Sequence, residues 1–85
     1  MSSNTIVKIP PGETIKEQLD YQHISLEEAA KRMKMSEEEF NKLLKGEIDL
    51  TEKDAVELER IFGIPVSFWT NLEKMYRQHL SDITK

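Results

Sequence analysis

The sequence predicts an all-α domain of five short helices, and three observations carry that prediction. Apolar residues recur at three- and four-residue spacing along almost the whole chain. Two serine-led helix starts, Ser25-x-x-Glu28 and Ser36-x-x-Glu39, follow one another closely and fit the capping-box pattern. No stretch alternates apolar and polar residues at the period of a strand.

The elements follow in order. Residues 1–9 read as a flexible arm, and Pro10-Pro11-Gly12 punctuates entry to a first helix from Glu13 to about Gln22, with Ile15 and Leu19 on its inner face. A second helix from Leu26 to about Met33 carries Leu26, Ala29, Ala30 and Met33 as an i, i+3, i+4, i+7 stripe. A third, Glu37 to Lys45, buries Phe40, Leu43 and Leu44, and Gly46 supplies the left-handed stop. Thr51 caps a fourth helix with Ala55, Leu58, Ile61 and Phe62 facing inward. Gly63 ends it, and Pro65 is placed to occupy the first position of a fifth helix. That helix carries Trp69, Leu72, Tyr76 and Leu80 on one side, with Phe68 and Met75 beside them. The domain is expected over 10–80, with a frayed tail over 81–85.

Two short helices joined by a turn of about four residues outline a helix-turn-helix, here between Ser25 and Gly46. The helix that enters a DNA groove in such a motif begins Glu37-Glu38-Glu39.

Composition narrows the function classes. The 85 residues make one small domain. There is no cysteine, which excludes a disulfide framework and Cys-based zinc sites and fits a reducing cytoplasm. No apolar run spans a membrane. No His-Glu-x-x-His, phosphate-binding glycine loop or Gly-x-Ser-x-Gly is present. His23 and His79 stand far apart without a carboxylate cluster at ligand spacing, so neither a metal nor a cofactor is expected. The reading is therefore not an enzyme. The net charge of −4 favours a basic protein partner and is unusual for a nucleic-acid binder.

Ile9-Pro10-Pro11-Gly12-Glu13-Thr14-Ile15-Lys16-Glu17, the doubly capped helix pair, and Phe62-Gly63-Ile64-Pro65-Val66-Ser67-Phe68-Trp69-Thr70-Asn71-Leu72 together resemble the HigA-type antitoxins. These are a branch of the XRE, or phage-repressor-like, helix-turn-helix regulators, and the similarity runs from about Ile9 to Leu80. The resemblance implies a five-helix, lambda-repressor-like fold, a homodimer, and binding to double-stranded operator DNA. It also implies neutralisation of a small basic toxin protein and autorepression.

Mapped onto this chain, the family's base-contact positions fall on Glu37, Glu38 and Lys42, with Asn41 a neighbouring polar candidate. Ser36 and Lys45 fall at backbone-contact positions. Two departures stand out. Leu26 occupies a position where relatives often carry glutamine against a phosphate, and Lys34 stands where they favour glycine in the turn.

The glutamates have an ordinary explanation as well, because acidic side chains in a first helical turn are favoured by the macrodipole. Facing DNA, each carboxylate meets dense negative charge, although glutamate can accept a hydrogen bond from cytosine N4. From Ser25 to Glu47 five bases stand against six acids. The lysines also fit i, i+4 pairing, as Glu38–Lys42 and Glu27–Lys31.

Phe68, Trp69, Leu72 and Tyr76 read both as core and, through the resemblance, as a face packed against a second copy. Two functions are therefore expected to compete. One is a dimeric, cytoplasmic, DNA-binding antitoxin-type regulator. The other is a protein-binding module with an acidic, degenerate recognition helix and little DNA affinity.

Overall fold

A computed structural model describes residues 10–83. Its five helices are α1 (Pro11–Gln22), α2 (Leu26–Met33), α3 (Glu37–Lys45), α4 (Glu52–Phe62) and α5 (Val66–Ile83), with no strand among the described residues. The arm expected over 1–9 lies outside them.

Three helices close identically. At the ends of α1, α2 and α3 a residue in left-handed conformation is followed by one whose N–H reaches back five residues: Ile24 to the Leu19 carbonyl, Met35 to Ala30 and Glu47 to Lys42, each at 2.9 Å. The left-handed residues are His23, Lys34 and Gly46. Lys34, with φ 62, adopts the conformation that glycine would take at less cost.

The helix starts differ from the expected pattern. Ser25 Oγ and Ser36 Oγ accept from the Glu28 and Glu39 N–H groups at 3.1 and 3.0 Å, but neither glutamate returns the bond. Glu28 instead accepts from Arg32 Nε at 3.0 Å, because the i+4 guanidinium competes for its carboxylate. The complete capping box belongs to α4, where Thr51 and Asp54 exchange bonds of 3.0 and 3.1 Å.

Three boundaries shift. Pro11 and Gly12 form the first turn of α1, since proline suits a position whose N–H would go unpaired. Pro65 stands just before α5, where its carbonyl accepts from Phe68 N–H at 3.1 Å. α5 runs on through Ile83, because no glycine or proline follows Leu80 to stop it. Ser81 and Asp82 are therefore helical rather than frayed, while 84–85 lie outside the described residues.

The core gathers Ile15, Leu19, Ala29, Ala30, Met33, Phe40, Leu43, Leu44, Leu50, Ala55, Leu58 and Trp69. α1 packs on α3 and α5, α2 on α3 and α4, and α4 on α5. Two departures from the predicted stripes matter. Leu26 is 43% exposed and lines an open hollow with Lys16, Leu19, Asp20 and Ile24, whereas Ala29, Ala30 and Met33 of the same stripe are buried. Ile61 and Phe62 are only half-buried against the core.

Gly12 explains how α1 and α3 come so close. A Cβ there would overlap the backbone of Leu44, so the helices touch main chain to main chain. Gly46 has φ 78, and a Cβ would lie 2.9 Å from the Tyr76 ring. Thus α5 is seated directly on the end of α3. Arg77 completes the junction: Nη2 donates to the Ile48 carbonyl at 2.9 Å, and Nε lies 2.7 Å from Glu73 and 3.3 Å from Asp49. Among the described residues no helix is long and apolar enough to cross a membrane.

Candidate nucleic-acid interface

The candidate site is the outer surface of α3. Ser36 fixes its start and Gly46 its end, while Phe40, Leu43 and Leu44 pin the opposite side to the core. Ser36, Glu37, Glu38, Asn41, Lys42 and Lys45 are all exposed. With its Oγ already accepting from Glu39, the Ser36 hydroxyl keeps its proton free to donate to a phosphate.

The face is less acidic than the sequence suggests. At about 100° of turn per residue, Glu38, Lys42 and Lys45 lie within roughly 35° of the outward axis. Asn41 flanks them. By the same wheel Glu37 and Glu39 fall to opposite edges, roughly 90–110° from that axis. Glu39 lines a hollow beside α4 with Lys53, Asp54 and Glu57. The outward strip therefore carries two lysines against one glutamate.

The expected pairs Glu38–Lys42 and Glu27–Lys31 do not form. Among the described residues Lys31, Lys42 and Lys45 take part in no ion pair, so no carboxylate holds their ammonium groups. Arg32 is held by Glu28, and Lys34 reaches Glu57 of α4 at 3.9 Å. Leu26, at the start of α2, lines a hollow with Lys16, Leu19, Asp20 and Ile24 and has no side-chain hydrogen-bonding group to offer a phosphate.

The residues expected to pair two copies divide. Trp69 is 0% exposed, donates from Nε1 to the Ile64 carbonyl at 3.2 Å, and meets Phe62 and Phe68 at ring centroids of 6.0 and 5.1 Å. It belongs to the protomer's own core, because its position in α5 points straight between α4 and α5. Tyr76 is engaged by Gly46 and by the Arg77 guanidinium, 5.1 Å from its ring centroid. Phe68, 41% exposed, and Met75, 63% exposed, remain open, with half-buried Leu72 between them at helical spacing. Met75 is not among the residues expected to pair two copies, yet its i+7 spacing from Phe68 is the signal that marks this strip. The Arg77 junction was not foreseen; Glu73–Arg77 is visible at i, i+4, but the Ile48 carbonyl is not.

The histidines sit apart from the site. His23 is exposed at the end of α1, and on α5 the Nε2 of His79 is buried with no hydrogen-bond partner among the described residues.

No family model matches the sequence. The chain is 33% identical over 66 residues to YddM, an uncharacterized HTH-type transcriptional regulator of Escherichia coli (strain K12), the match covering 78% of this chain and 70% of the relative. Among solved structures it is similar to the Pseudomonas aeruginosa antitoxin HigA with the higBA promoter, at TM-score 0.82 and 26% identity over 92% of this chain and 86% of that one. It is similar also to a Pseudomonas aeruginosa protein in complex with its 18-bp operator DNA, at TM-score 0.80 and 27% identity over 91% and 84% of the two chains.

Proposed function

The chain belongs to the HTH-type transcriptional regulators, in the branch typified by the antitoxin HigA, and from that premise we propose that it binds an operator duplex as a homodimer and neutralises a small basic toxin. The observation that carries the DNA reading is the exposed strip of Glu38, Asn41, Lys42 and Lys45 on a rigidly capped α3, in a fold shared with two proteins solved with promoter or operator DNA. α3 enters the major groove, Glu38, Asn41 and Lys42 face base edges, Ser36 and Lys45 hold the backbone, and Glu37, one of the base-contact positions expected from the sequence, stays at the margin of the strip. The unpaired lysines release counterions when they reach phosphates. This activity needs no catalytic group, and its DNA target puts its work in the cytoplasm.

The test is fluorescence anisotropy with a labelled duplex of the chain's own promoter, beside a scrambled duplex, at low and physiological salt. Tight promoter binding that weakens with salt supports the reading. Absence of binding to either duplex at low salt leaves the protein-binding module as the function. Charge supports a basic protein partner in either case: Glu13, Glu17 and Asp20 are exposed along α1, and the chain carries net −4.

Pairing through α5 follows from the open strip of Phe68, Leu72 and Met75. A charge at the most exposed of them, Met75→Glu, is expected to leave the helical circular dichroism intact and give a monomer by light scattering. Operator affinity then falls by at least about 100-fold, because two half-sites no longer bind as one unit. A Met75→Glu protein that remains dimeric places the pairing surface elsewhere.

A further inference from the structure

We propose that Glu38 reads a cytosine in each half-site, and that this one carboxylate sets base preference while its two acidic neighbours do not. The inference rests on the operator-binding reading above and deepens it.

Glu38 lies nearest the outward axis of α3, between Lys42 and Lys45 across the strip. Among the described residues it makes no ion pair and no hydrogen bond, so its carboxylate is free to meet a base. An ionised carboxylate only accepts hydrogen bonds. In the major groove guanine offers two acceptors and thymine an acceptor and a methyl group, so both repel or starve it. Adenine offers an N6 donor, but its N7 acceptor stands alongside and opposes a second carboxylate oxygen. Cytosine presents its N4 donor with no acceptor of its own at the groove edge. Glu38 thus works as much by rejection as by attraction, since each wrong base leaves a desolvated charge unmatched.

The flanking lysines make this tolerable. They keep the strip net positive, so a half-site with cytosine under Glu38 gains their attraction to phosphate or guanine without a carboxylate penalty. Glu37 carries the same charge one residue earlier but points to the edge of α3, which makes it the natural control.

The experiment is selection of bound duplexes from a randomised library by the full-length protein, followed by competition binding on single-base variants of the enriched half-site. Glu38→Gln and Glu37→Gln are run in parallel with the unaltered chain. For the unaltered protein a cytosine position is expected whose replacement weakens binding by about tenfold or more. Glu38→Gln is expected to flatten that position or turn it toward adenine, which glutamine reads through N6 and N7, and to bind non-specific duplex more tightly. Glu37→Gln is expected to tighten binding generally while keeping the cytosine. An enriched motif whose preferences survive Glu38→Gln overturns the inference alone, as does equal flattening by Glu37→Gln, which marks a bulk charge effect. A library with no enriched motif overturns the operator-binding reading and the inference with it.

Discussion

Replacing Gly12 by alanine lowers the melting temperature by at least about 10 °C, given that each kcal/mol is worth about 4–8 °C in a domain of this size. The reason is contact between backbones. The added methyl falls on the Leu44 main chain, and Leu44 lies in a helix whose buried face also holds Phe40 and Leu43. A flexible side chain could swing aside, but a helical carbonyl cannot. The remaining response is to lift α1 off α3, which strips cover from Ile15 and Leu19, both fully or almost fully buried. Overpacking of this kind costs about 1–3 kcal/mol where neighbours can adjust, and more where they are main chain. Thermal circular dichroism measures it. A variant that melts within about 2 °C of the unaltered protein would show that the two helices separate freely.

The second large effect is on binding. Lys42→Ala with Lys45→Ala removes both cations from the outward strip of α3 and leaves Glu38 alone there. In a dimer the change counts twice, so four positive charges leave the interface. Promoter affinity at physiological salt is expected to fall by at least about 100-fold, and the slope of log affinity against log salt to become shallower by about two to four. Folding should be untouched, because neither side chain is buried or paired. Anisotropy titrations at four or more salt concentrations decide it. An unchanged slope would remove both lysines from the contact surface.

How legible the molecule was in its sequence depended on the range of the interaction. Helix starts and stops are local chemistry, and the serine caps, Thr51, Gly46 and Gly63 fell where the spacing put them. The return arms of the two serine capping boxes did not form, because pattern alone cannot say that Arg32 will outbid a backbone N–H for Glu28. Periodicity located the inner face of every helix but not how far the neighbouring body extends. Leu26 lies on the right stripe and is uncovered, while Trp69 is sealed in its own protomer.

The candidate site shows the same division. Its members were readable from the helix-turn-helix outline and the family resemblance. Counting charge along the chain made the recognition helix look acidic, whereas rotation about the helix axis separates Glu37 and Glu39 from the strip that faces outward. The contacts of Arg77 and Tyr76 join residues about 30 positions apart, and no spacing rule encodes them.

That junction bears on how the protein measures distance along DNA. Tyr76 sits on the residue that ends α3, and Arg77 grips the loop that follows it, so α5, which carries the proposed pairing strip, and α3, the proposed reading helix, are held as one bracket. In the proposed homodimer, two such brackets joined back to back would act as a caliper of fixed opening. Inserting one base pair between half-sites advances the second by 3.4 Å along the duplex and turns it by roughly 35°, since half-sites sit about 10–10.5 base pairs per turn. With α3 and α5 tied together at this junction, the second head of such a dimer would meet the wrong side of the groove, and the spacing of the operator would be read as strictly as its letters.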